Sequence, residues 1–265
     1  MNNIKDQKIK DLSTAIQEGL NSGISKDFDP EAFLREMKKS REEKFLLVLS
    51  AMDLYKIQEI YKDAILKVVD ILILTFKELD IIYKSQVSLN SNSNSSSLLL
   101  FPKYREDDNI RVSEQELRFI FVEQFDQYCK MNNWNVRYSV ETPTHKKYIF
   151  SNIKGENKPV PRIADNSDEG VSARFDVTIN DEMGSILFPI EFKANNPDEL
   201  SFKKDLFKLV EDSNTNIGFL VLLLKSADIR TYRSIFRKVL SNIGVNTIFV
   251  CHCLPHQEKE RDSNK

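Results

Sequence analysis

Asp176 and the tripeptide Glu191-Phe192-Lys193 put two carboxylates and an ammonium into two neighbouring segments of this chain. Residues 173–179 and 186–194 are rich in β-forming side chains and are separated by Asn180-Asp181-Glu182-Met183-Gly184, which predicts a hairpin. Residues two apart in a strand share a side. Phe175, Val177 and Ile179 are therefore expected on one side of the first strand, with Asp176 and Thr178 on the other. In the second strand Ile190 and Phe192 face one way, and Glu191 and Lys193 face the other. Carboxylates set into apolar strands are costly without a partner, and a divalent cation satisfies two at once. The same Glu-x-Lys spacing also suits a cross-strand ion pair on a half-exposed sheet, and the spacing alone leaves both open.

The elements around the hairpin follow from pattern. Apolar periodicity predicts a helix over 113–131, a strand over 134–140, a further strand near 148–152, a helix over 200–212, a buried strand over 217–224, a helix over 231–243 and a last strand over 246–251. The helix at 113 opens with Ser113-Glu114-Gln115-Glu116, a capping box in which Glu116 reaches back to the Ser113 backbone. Glu116 thus has a structural role, and Glu114 is left as a candidate third carboxylate. The helix macrodipole by itself also favours an acid at that first-turn position.

The chain of 265 residues is long enough to bury a substantial core. Residues 1–87 read as an all-helical N-terminal region, including one long amphipathic stretch from 45 to 83, and 88–97 as a Ser/Asn-rich linker. A mixed α/β domain is expected over 98–252, followed by a polar tail at 253–265. Three cysteines make no disulfide framework, and no apolar run is long enough to span a bilayer, so the cytoplasm is the expected compartment with no membrane contact. The most hydrophobic stretch, 64–76, is interrupted by Lys67 and Asp70 and reads as a core helix. A net charge of −2 carries no global signal for nucleic acid. Locally, Lys203, Lys204 and Lys208 crowd one helix while Arg230, Arg233 and Arg237 recur at helical spacing on the next, which suits either a phosphate-facing surface or two solvated helices.

Taken in order, residues 111–251 resemble the PD-(D/E)XK nuclease superfamily. The match is an acid on a helix (Glu114), an Asp on a strand (Asp176), the Glu191-Phe192-Lys193 strand, then a helix and a strand, with Lys204-Asp205-Leu206-Phe207-Lys208-Leu209 in the following helix. The residue before the Asp is Phe175 and not Pro, a departure that many members also show. The resemblance implies a restriction-endonuclease-like core, a central mixed sheet flanked by helices, carrying the helical N-terminal extension. It also implies a Mg²⁺ site, with Mn²⁺ able to substitute, formed by Asp176, Glu191, the Phe192 carbonyl and Glu114. Lys193 would orient or deprotonate the attacking water, and the reaction would be hydrolysis of DNA phosphodiesters in restriction, phage defence or mobile-element biology. Lys204, Lys208, Arg230, Arg233 and Arg237 are the expected nucleic-acid contacts.

Other chemistries have less behind them. Cys251-His252-Cys253 with His256 crowds soft-metal ligands into one strand end without paired knuckle spacing. His145 stands alone in the loop 143–147, and the seven glycines form no phosphate-binding loop. Residues 12–40 resemble the toxin-embracing tail of ParD family antitoxins, with Gly19 and Gly23 ending one helix, Asp29-Pro30 starting the next, and Phe28, Phe33 and Leu34 as anchors. That resemblance implies a protein partner. Two functional classes follow: a Mg²⁺-dependent DNA nuclease, compatible with a homodimer, or a non-catalytic binding protein that uses a nuclease-like fold and the N-terminal arm to hold a partner.

Overall fold

The computed structural model describes residues 45–49, 59–87, 97–105, 109–150, 161–164, 170–212, 217–240 and 247–255. The elements are β1 (Phe45–Leu49), α1 (Glu59–Val87), α2 (Glu114–Asn132), β2 (Arg137–Ile149), β3 (Arg162–Ile163), β4 (Val171–Asn180), β5 (Ile186–Ala194), α3 (Glu199–Glu211), β6 (Gly218–Leu224), α4 (Ile229–Leu240) and β7 (Thr247–Cys253). The strands form one mixed sheet in the order β1-β7-β6-β5-β4-β2-β3. β5, β6 and β7 run parallel and the remaining neighbours are antiparallel.

The parallel centre is dictated by composition. Gly-Phe-Leu-Val-Leu-Leu-Leu in β6 is buried throughout, as is β7, which requires layers on both faces. One face carries Phe188, Ile190, Phe192, Phe219, Val221, Leu223, Ile248 and Val250, packed with α1 and α2. The opposite face carries Leu220, Leu222, Leu224, Phe249, Cys251 and Cys253, packed with Phe202, Leu206 and Leu209 of α3 and Ile235 and Val239 of α4. The crossovers from β5 to β6 and from β6 to β7 step in one direction, so their helices share that face.

Several sequence expectations hold. The hairpin forms between β4 and β5, closed by Asp181 N–H to the Ser185 carbonyl and by Gly184 at φ +85°. α2 begins on the capping box, with Glu116 accepting from the Ser113 backbone at 2.7 Å. The 64–76 stretch lies inside α1, where Lys67 pairs with Asp63 at 2.6 Å and Tyr128 donates to Asp70 at 3.3 Å, so the two interrupting charges sit at the edge of the buried stripe.

The N-terminal region departs from expectation. Phe45–Leu49 is a strand, not helix, and pairs antiparallel with β7. α1 is no separate extension either. Ile65, Val68, Leu72, Phe76, Leu79 and Tyr83 enter the same apolar cluster as the sheet, and His252 of β7 stacks on Phe76 with centroids 4.8 Å apart while its Nε2 lies 2.7 Å from Asp80. An amphipathic helix buries its stripe against whatever apolar face is uncovered, and here that face is the sheet. The 88–97 tract therefore joins two parts of one core, with Ser97 fastened by its N–H to Glu78 and its hydroxyl to Glu123. Residues 12–40, with their antitoxin-like pattern, lie outside the described residues.

At the far edge, the two strands expected near 134–140 and 148–152 are one long strand, β2, with an irregularity between Pro143 and Lys147. The Asp212 carboxylate at the end of α3 accepts the backbone N–H groups of His145 and Lys146 at 2.7 and 2.8 Å, which holds the bulge. The polar tail starts later than 253, since Cys253 and Leu254 are buried. Among the described residues, no helix is long and apolar enough to cross a membrane.

Phe76 tests the shared core. Phe76→Ala is expected to cost about 3–5 kcal/mol and to shift a single urea transition of the whole chain. A sheet signal that keeps its midpoint would show residues 59–87 to be independent.

Candidate active site

The β4–β5 ladder shifts register once between Asn180 and Ile179, is regular from Ile179 and Phe188 to Val177 and Ile190, and then the strands part. Where Asp176 meets Phe192, the Phe192 N–H donates to the Asp176 carboxylate at 2.8 Å, so a side chain occupies the place of a strand carbonyl. The parting also corrects the expected alternation. Val177 and Ile179 lie in the cluster under α1 and α2, but Phe175 packs in the opposite cluster with α3. Glu191 and Lys193 leave β5 on the α3 side, as their alternation requires.

α3 meets them with two charged residues that sequence reading did not assign together. Lys208 Nζ lies 2.7 Å from Glu191 Oε1, 2.9 Å from Asp205 Oδ1 and 3.0 Å from the Arg174 carbonyl. Lys193 Nζ lies 2.6 Å from Asp205 Oδ2 and 3.6 Å from Glu114 Oε1. Lys208, expected on an exposed phosphate-facing surface, is instead buried, because its ammonium balances acids beneath α3. Asp205 was missed. The available signal was polar residues on an apolar helical stripe, since 205 and 208 share the buried face with Phe202, Leu206 and Leu209.

The four acids Glu114, Asp176, Glu191 and Asp205 thus surround two ammonium groups. Burial raises the Asp176 carboxyl, opposed by its hydrogen bond from Phe192. Burial and the Asp205 charge push Glu191 well above its ordinary range, against the pull of Lys208. Glu114 is raised by burial, opposed by Lys193 and reinforced by Asp176 and Asp205. Burial would lower both lysines, but Asp205 with Glu114 and Glu191 outweighs it at Lys193, and Glu191 with Asp205 outweighs it at Lys208, so both are raised. Each remains an ammonium, and Lys193 is held as a cation rather than a free base.

The cluster suits a hard cation in its chemistry. Its donors are carboxylate oxygens, its acids outnumber its bases, and burial raises the carboxyls of Glu114, Asp176 and Glu191. Asp176 Oδ2 and Glu191 Oε1 are engaged by Phe192 and Lys208, while Asp176 Oδ1 and Glu191 Oε2 stand outside those contacts. Among the described residues, no three Asp, Glu, His or Cys side chains form a ready-made metal cage. Mg²⁺ characteristically binds through one or two carboxylates with waters and substrate phosphates, without such a cage.

The remaining expected residues scatter. Arg230, Arg233 and Arg237 are exposed on α4, and Lys204 is half-buried with its ammonium 5.4 Å from the Phe150 ring centroid. Cys251 and Cys253 point to the α3 side and His252 to the α1 side, so strand alternation prevents them from converging on one metal. His145 is exposed, as expected. A groove of about 680 Å³ lined by Phe125, Cys129 and Trp134 lies at the C-terminal end of α2, away from Glu114 at its start.

The raised carboxyls fix a pH dependence. Glu191 in the folded protein keeps a proton that the unfolded chain releases near 4.5, so its contribution to stability falls as pH climbs through 4.5 towards the higher folded value. Glu191→Gln removes one excess negative charge and keeps an oxygen acceptor for Lys208. In EDTA the variant should melt increasingly above the parent as pH climbs from about 4.5 towards neutrality. A constant difference across that range would contradict the charge excess. No family model, no curated protein and no solved structure matches the chain.

Proposed function

We propose that the chain is a divalent-metal-dependent nuclease that hydrolyses DNA phosphodiester bonds. The observation that carries this reading is the cluster at the parting of β4 and β5: Asp176 and Glu191 on adjacent strands, with the Lys193 ammonium beside them in an acid-rich setting. Asp176 and Glu191 would hold Mg²⁺ or Mn²⁺, with the Phe192 carbonyl between them in sequence and Glu114 as the outer acid. The cation supplies Lewis-acid activation of water and charge neutralisation on the phosphate.

The chain's own residues have separable tasks. Lys193, kept protonated by Asp205 and Glu114, offsets charge that develops on the phosphoryl oxygens and orients the attacking water. Lys208 fixes the Glu191 carboxylate, and Asp205 spaces the two ammonium groups. Water oxygen bonds to phosphorus as one P–O ester bond breaks, and the leaving alkoxide takes up a proton, giving a phosphomonoester and a hydroxyl. Arg230, Arg233 and Arg237 on α4, with Lys204 on α3, supply positive charge for the flanking backbone. Restriction, phage defence and mobile-element biology are the settings in which such an activity fits.

A second reading rests on a specific observation, namely that each lysine already has carboxylate partners. On it the cluster is a structural ion network and the chain is a non-catalytic binding protein, with residues 12–40 holding a partner. Purified protein incubated with circular, linear and single-stranded DNA and with RNA separates the two. Cleavage is expected with Mg²⁺ or Mn²⁺ and not with EDTA. Asp176→Ala should abolish it, Lys193→Ala should slow it roughly 10²–10³-fold, and Lys208→Gln, which loosens Glu191, should slow it roughly 10–100-fold. Cleavage indifferent to Asp176→Ala and Lys193→Ala would refute the assignment.

A further inference from the structure

A second charged constellation adjoins the acid–lysine cluster. Arg118 lies one turn beyond Glu114 on α2, and Arg174 lies two residues before Asp176 on β4, with its carbonyl receiving Lys208. Between the two guanidinium groups stands Glu141 of β2. Its Oε1 accepts from Arg118 Nη1 at 2.6 Å, and its Oε2 lies 3.9 Å from Arg174 Nη1. The flanking register pairs are Val140 with Val177 and Thr142 with Phe175, so Glu141 is the β2 residue that faces Asp176.

Two features set this bridge apart from an ordinary surface pair. Glu141 adopts φ 51°, a left-handed conformation that costs energy for a residue with a Cβ. The Glu141–Arg174 half of the bridge is open to water, with side-chain exposures of 66% for Arg174 and 49% for Glu141, so its contribution to stability is small, whereas the Arg118 side chain is 18% exposed with its guanidinium reaching Glu141. The arrangement does, however, hold two guanidinium forks around one oxyanion, which is how arginine receives phosphate. It also answers an electrostatic need, since four carboxylates at the cluster repel a polyanionic substrate.

We propose that Arg118 and Arg174 bind a DNA backbone phosphate next to the scissile one, and that Glu141 is an internal surrogate that orients both guanidinium groups until the phosphate displaces it. The proposal rests on the nuclease reading for its substrate but concerns binding alone. Arg118 and Arg174 fix where the strand lies relative to Asp176, and Glu141 sets how tightly it is held by competing for them.

The test is fluorescence anisotropy with labelled single-stranded DNA, duplex DNA and RNA of one sequence, using the full chain in EDTA at several salt concentrations. Arg118→Ala and Arg174→Ala should each weaken DNA binding roughly tenfold and lower the slope of log affinity against log salt by about 0.7–0.9. Arg174→Lys should keep the slope while losing part of the affinity, and circular dichroism confirms that each variant is folded. Glu141→Gln should tighten binding several-fold. An unchanged slope in the alanine variants, an unchanged or weakened affinity in Glu141→Gln, or no binding to any strand overturns the proposal. RNA bound more tightly than either DNA overturns the DNA assignment. Metal-dependent cleavage with arginine-independent binding sinks this inference alone, whereas arginine-dependent binding without any cleavage sinks the nuclease reading alone.

Discussion

An ammonium has three protons to place, and Lys208 places them among three oxygens from three parts of the chain. Glu191 Oε1 comes from β5, Asp205 Oδ1 from its own helix and the Arg174 carbonyl from β4, all within 3.0 Å. A buried charge is tolerable only when it is paired and its hydrogen-bonding capacity is filled. The position of α3 over the sheet is therefore specified twice, by Phe202, Leu206 and Leu209 in the apolar cluster and by the ammonium between them. A shift of α3 by one turn would leave Glu191 and Lys208 both buried and unpaired. Breaking such a pair is far more costly than the pair is worth against apolar residues.

This constraint connects fold and chemistry. The sheet must part beside Asp176 for its carboxylate to reach the Phe192 N–H, and the same parting lets Phe175 swing into the α3 cluster. The helix that covers the gap brings the cations. Glu114 enters from the other side because the capping box on Ser113 makes Glu114 the first residue of α2. Four elements thus deliver six charged groups to one place, with more acid than base, an arrangement poorly suited to stability.

Local signals were legible and convergence was not. The β4–β5 hairpin is written in Asn180 to Gly184, and the α2 start in Ser113 to Glu116, because turns and caps are decided within a few residues. The alternation that sends Glu191 and Lys193 to one side was equally readable. Phe175 was not, since its departure depends on a side chain of β4 replacing a ladder hydrogen bond. Lys208 looked like surface charge because its partners lie on other elements. Phe45–Leu49 is a short apolar run that fits strand or helix, and its partner β7 is about 200 residues away in the chain. Whether α1 formed its own domain could not be read from its stripe, which records that it is covered but not by what.

The bond between His252 and Asp80 joins residues 172 apart in sequence. β7 follows every other described strand in the chain, yet it lies between β1 and β6 in the sheet. During synthesis, Glu114, Asp176, Glu191, Lys193, Asp205 and Lys208 all leave the ribosome while β1 and α1 still lack their partner strand. Contacts of such separation form late and slow folding. The charged cluster thus gains its rigid support only once β7 has been inserted, and a growing chain carries the six charged residues without the scaffold that aligns them.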